Sequence, residues 1–184
     1  MWGLLKLADL IDAANDRLGR IVMWLAGILV LVQFAVVVLR YAYGSSFIWM
    51  QESVIYVHAT LFMLTIAYAY LHDGHVRVDV LYADWPPKAK ALADLLGILI
   101  AVLPFCALVI WACWPYVSLS WRMKEGPMFV GGIPFLYLLK SLIPAMAVLL
   151  ALQAIAIALR ATAVLTGHAA THFPRKAAGG GHGG

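Results

Sequence analysis

The side chains of this sequence that could carry chemistry are few, and their spacing argues against most of what they could do. A haem of the b type needs axial ligands that face one another across helices. His58 lies inside an apolar run, His72 and His75 follow its end, and the other apolar runs contain no histidine. His58 is therefore expected to be a packed, hydrogen-bonded residue or a subunit contact. Ser53 and His58 stand five residues apart. That is about 500° of helical rotation, so nucleophile and base point about 140° apart. Cys106 and Cys113 share one apolar run seven residues apart. Their separation of about 10 Å along a helix is too great for a disulfide, and the spacing is not that of a C-x-x-C redox pair. Both are expected to be small buried hydrophobes. Asp73-Gly74 lacks the spaced acidic repeat of phosphatidyl-transfer enzymes, and no glycine-rich phosphate loop is present. His168, His172 and His182 fall in a Gly-rich end that reads as a solvated tail. The expectation is a chain that is not an enzyme, with no catalytic, substrate-binding or metal site and no cofactor.

The remaining polar residues in or beside apolar runs are expected to join helices. Arg40 closes the first run and Glu52 opens the second. Ionisable groups near hydrocarbon usually pair or line a pathway, so an Arg40–Glu52 ion pair pinning this hairpin is predicted, the alternative being plain interfacial snorkelling. Tyr41, Tyr43, Phe47 and Trp49 form an aromatic belt at the same level. Gln33 and Gln153 are amides inside apolar runs, and interhelical hydrogen bonds are expected of both.

The elements that position these residues are membrane spans. Hydrophobic residues are 64% of the chain and charged residues 12%, against about half and a quarter in soluble domains. Four apolar runs are each close to the ~20 residues that cross a hydrocarbon core. They cover about 21–39, 53–71, 91–114 and 134–159, with Pro104 and Pro144 inside the third and fourth. The fold class predicted is an all-α membrane protein with four transmembrane helices over residues 21–160. A helix over residues 1–20 precedes them, with Leu4, Leu7, Ile11, Ala14 and Leu18 on one face and Lys6, Asp9, Asp12, Asp16 and Arg17 polar. It is read as a short amphipathic surface helix, the alternative being a partner-binding helix. No cleavable signal peptide is expected, because these twenty residues hold three aspartates and no compact apolar core. Residues 161–184 are expected to form a flexible cytoplasmic tail.

Lys and Arg placement sets the expected orientation. Lys6, Arg17, Arg20, Arg77, Lys88, Lys90, Arg160, Arg175 and Lys176 collect on one side, against Arg40, Arg122, Lys124 and Lys140 on the other. The richer side belongs in the cytoplasm, so both termini and the 72–90 loop are predicted to be inside. The net charge of +4 is spread between apolar runs and never forms a block, which points to lipid head groups and away from nucleic acid. Ala93, Gly97 and Ala101 on the third span, and Ala147 with Ala151 and Ala154 with Ala158 on the fourth, would permit close helix approach.

The order Arg40-Tyr41, then Trp49-x-x-Glu52, then His75-Val76-Arg77-Val78-Asp79 resembles the small membrane subunit of TRAP transporters, the tripartite ATP-independent periplasmic transporters. The resemblance covers nearly the whole chain. The strings W-M-Q-E-S-V-I-Y-V-H-A and D-G-H-V-R-V-D-V-L-Y are similar to the branch labelled for mannitol or chloroaromatic compounds. Gln51 stands where many members carry a second acidic residue. The resemblance implies a multi-pass protein of the bacterial inner membrane, partnered by a large membrane subunit that holds substrate and sodium sites and moves as an elevator. It further implies a periplasmic substrate-binding protein that delivers an organic acid or similar solute. This chain would be the fixed scaffold. Arg40, Tyr41, Trp49 and Glu52 would serve the outer hairpin and its partner contacts, and His75, Arg77 and Asp79 would order the inner loop. Arg122 and Lys124 would face the periplasm within reach of the binding protein. The alternative is a membrane anchor subunit of a redox complex.

Overall fold

A computed structural model describes residues 2–72, 85–127 and 129–167. All regular structure among them is helical: α1 (Trp2–Val22), α2 (Trp24–Tyr43), α3 (Ile48–Leu71), α4 (Pro87–Gly97), α5 (Leu103–Met123) and α6 (Leu136–Leu165). A π-helical turn, Ile98–Val102, joins α4 to α5. Four stretches are long and apolar enough to cross a membrane: Trp2–Tyr43, Ile48–Leu71, Pro87–Met123 and Leu136–Leu165. The helices outrun the expected spans because apolarity marks only the hydrocarbon-facing part of a longer helix. The third shows this most, continuing through Pro115 to Met123 rather than ending at Trp114. It stops where Lys124 turns left-handed and the Glu125 N–H bonds the Ser120 carbonyl, a Schellman-type end.

The π turn has a local cause. Pro104 has no N–H to donate and its ring crowds the carbonyl one turn earlier. The helix widens just before it, so that the Leu103 N–H bonds the Ile98 carbonyl. One extra residue in the turn offsets about 100° of rotation. Ile98 and Cys106 thereby lie on one face, each 1% exposed, against α6.

α6 is the hub of the fold, packed by α1, α3, α4 and α5, whereas α2 leans chiefly on α3 and buries none of its residues. The predicted small-residue stripe on the fourth span is used, since Ala147 and Ala154 are fully buried, and Ala161 extends it. The stripe on the third span is not. Gly97 looks into open space and Ala101 is exposed, while Ala91, Ile98 and Cys106 form the packed face. Both cysteines are free, and Cys106 sits in the core with Ala147 and Leu150.

The amphipathic pattern of α1 faces opposite to soluble-protein habit. Its buried residues are Ala8, Asp12, Asn15, Gly19 and Val22, while Leu4, Leu7 and Leu10 are exposed. In lipid an exposed leucine costs nothing and a polar group needs a protein partner, so Asp12 and Asn15 turn inward, while Lys6, Asp9, Arg17 and Arg20 stay exposed. Gly19 is required by close approach, because a Cβ there would overlap the Tyr68 side chain of α3.

Candidate functional site

Three groups of polar contacts tie the helices together. The first joins α1 to α6. The Asn15 amide donates to Gln153 Oε1 at 2.7 Å, and Gln153 Nε2 donates to Asp12 Oδ1 at 2.8 Å. Arg160 then bonds Asp12 with one guanidinium nitrogen and Asp9, at 2.6 Å, with the other. Gln153 is fully buried with both its amide groups engaged, as interhelical bonding requires. The sequence does not mark Asp12 and Asn15 as its partners, nor Arg160 as the partner of Asp12. The 12, 15, 19 spacing of Asp12, Asn15 and Gly19 marks one face of α1 without saying where it looks. Beside this cluster Asp16 accepts from Arg20 and meets His72 Nε2 at 2.8 Å, which brings the end of α3 to α1.

The second group corrects a prediction. Glu52 forms no ion pair with Arg40; its Oε2 accepts the backbone N–H of Ile133 at 2.6 Å. Gly132 lies so close that a Cβ there would come within 2.5 Å of both carboxylate oxygens. The carboxylate therefore pins the turn before α6 to the start of α3. The chain brings Arg40 near the same end, but Arg40 is exposed and lines a groove with Tyr41 and Gln51. Tyr41 is 82% exposed, and Trp49 is exposed against Phe47 with ring centres 6.4 Å apart. Gln51 bonds Ser46 at 2.6 Å. A cleft of about 460 Å³ lies alongside, between Glu52, Ile55 and Tyr56 on α3 and Phe129, Leu136 and Leu139. Gln33, expected to be hydrogen-bonded between helices, is exposed in mid-helix instead. His58, expected to be packed and hydrogen-bonded or a subunit contact, is exposed too and stacks on Phe62.

The third group closes the loop between α5 and α6. Lys140 Nζ bonds Glu125 Oε2 at 2.5 Å and lies 3.9 Å from the centre of the Tyr116 ring. The Lys140 ammonium holds the Glu125 carboxyl below its ordinary range. Trp121 Nε1 donates to Ser141 Oγ at 2.7 Å, and Lys124 lies over the Trp121 and Tyr137 rings. Two lysines of this end are thus held by aromatic faces and one carboxylate. His75, Arg77 and Asp79 lie outside the described residues, as does the tail beyond 167.

Residues 29–164 match the family model described as "Tripartite ATP-independent periplasmic transporters, DctQ component", which is more than half of the chain. The chain belongs to this family. No curated protein and no solved structure matches it significantly. As a TRAP small subunit it is a membrane-embedded component of a transporter complex with other subunits. The match begins within α2 and ends at Val164 of α6, so it takes in the Glu52 and Lys140 contacts but leaves out α1. The clasp of this TRAP small subunit thus joins a helix outside the matched region to Gln153 and Arg160 inside it.

Proposed function

We propose that this TRAP small subunit is a fixed, non-catalytic brace in the bacterial inner membrane, with both termini in the cytoplasm. The observation that carries the reading is where the polar groups of the helices go. Asp12, Asn15, Gln153 and Arg160 bind one another between α1 and α6, Glu52 holds the turn at Ile133, and Lys140 holds Glu125. Polar groups used this way fix one arrangement of helices. A substrate path instead turns them toward a water-filled cavity at mid-membrane.

In this reading a large membrane subunit carries the substrate and sodium sites and moves against the brace. A periplasmic binding protein delivers an organic acid or similar small solute, with Arg122 and Lys124 on its side of the membrane. The orientation rests on the excess of Lys and Arg on the side of both termini. His75, Arg77 and Asp79 then order the inner loop, while Arg40, Tyr41, Trp49 and Glu52 shape the outer hairpin. The likeness to the mannitol or chloroaromatic branch makes mannitol and chloroaromatic compounds, beside organic acids, the first solutes to assay.

The test is uptake by vesicles containing the large subunit with and without this chain, the binding protein being supplied outside. Uptake driven by an inward sodium gradient is expected only when all three are present. Unchanged uptake without this chain, or uptake by this chain alone, overturns the brace reading.

A further inference from the structure

The α2–α3 hairpin leaves polar groups at two depths of one groove. On α2, Gln33, Val37 and Arg40 follow one another at helical spacing. On α3, Gln51 and Val54 line the same groove of about 320 Å³, and His58 stands one turn beyond Val54 on that stripe. Seven residues separate Gln33 from Arg40, and seven separate Gln51 from His58, in each case about 10 Å along the axis. The two helices run antiparallel. Arg40 and Gln51 therefore share one level near the helix ends, and Gln33 and His58 share a second level near mid-helix. Gln33, Arg40 and His58 are exposed.

A polar side chain at mid-depth that meets only hydrocarbon is costly, and glutamine is too short to reach the interface. Acyl chains offer no hydrogen bond there, so lipid does not satisfy the inner level. A second copy of this chain fails at the outer level. A two-fold axis along the membrane normal sets like depths face to face, placing two Arg40 guanidiniums together. The nearby carboxylate, Glu52, is already engaged by the Ile133 N–H.

We infer that the groove between α2 and α3 seats a transmembrane helix of the large membrane subunit, bearing a hydrogen-bonding side chain opposite Gln33 and His58 and a carboxylate opposite Arg40. The inference rests on the transporter reading and assigns the face on which that reading is realised. It also accounts for α2, the least covered helix of the fold, by giving it a partner outside this chain.

The experiment uses the intact complex from native membranes, with a photoreactive benzoylphenylalanine at position 37 and a control at Leu108 on the exposed side of α5. Irradiation is expected to join the position-37 protein to the large subunit, identified by mass spectrometry, in greater yield than the control. Co-purification of the large subunit without an adduct from position 37, or with an adduct only to a second copy of this chain, overturns the inference and leaves the transporter reading standing. Failure of the wild-type chain to bring down any large subunit overturns both. In the same preparation the Gln33→Leu/His58→Leu double variant is expected to retain about 5- to 30-fold less large subunit, the range for interhelical hydrogen bonds in model peptides. An unchanged yield sinks the proposed bonding. Both positions are exposed in this chain, so the variants leave its own packing intact.

Discussion

Arg160 holds the α1–α6 clasp by dividing its guanidinium between two carboxylates, one buried and one exposed. Arg160 itself is nearly buried, and Asp12 is 8% exposed. Removing one partner of a buried pair leaves an uncompensated charge, at a cost of about 3–5 kcal/mol. Arg160→Met is therefore expected to lower thermal stability in detergent markedly, with Arg160→Lys intermediate because an ammonium keeps the charge but offers its donors from one point and not from two nitrogens of a planar fork. Equal melting of all three proteins would show that the clasp contributes nothing. At the other end, Glu125 titrates below its ordinary range when folded because of Lys140. Its contribution is thus present above the unfolded pKa and is lost as pH falls through the folded one. The Glu125→Gln variant should melt below wild type near neutral pH and converge with it in acid. A difference that persists at low pH would assign the effect to packing. At this scale the sequence identified Gln153 as needing a partner but misassigned Glu52. Charge alone favoured Arg40 as its partner, whereas a carboxylate can equally be satisfied by a backbone N–H that the sequence does not advertise.

Among the elements, the junction of α4 and α5 shows how one residue sets the register of a span. Ile98 and Cys106 are eight residues apart and face α6 together because the π turn absorbs one of the eight. Deleting Ala101 from that turn in a Pro104→Ala background should convert it to α-helix and keep Cys106 within about 20° of its present direction. Deleting Leu108 from α5 should rotate everything after it by about 100°. The first deletion is expected to give stable protein and the second to lose it, as read by folded yield in detergent. Equal losses would mean that the turn has a role beyond register. Pro104 was visible as a disturbance in the span, but a proline does not announce whether the helix kinks or widens. The expected Ala93, Gly97, Ala101 stripe failed already before the turn, since the face that α4 packs on α6 runs through Ala91 and leaves Gly97 exposed.

For the whole molecule the decisive feature is that α6 gathers α1, α3, α4 and α5 while α2 stays at the rim. Removal of residues 2–22 should leave four insertable spans, so the shortened chain is expected to resist alkaline extraction from membranes. It should melt well below the full chain, because Gln153 and Arg160 of α6 lose Asp9, Asp12 and Asn15. Identical melting of the two would make α1 an accessory. The sequence by itself determined that four helices are long and apolar enough to cross a membrane, because that property is local and sums residue by residue along each run. Only the tertiary structure decided which faces meet. Asn15 and Asp12 reach Gln153 across 138 and 141 residues of chain. In lipid, apolar surface gives little preference for one face over another, so a few polar contacts and close-packed alanines choose the arrangement.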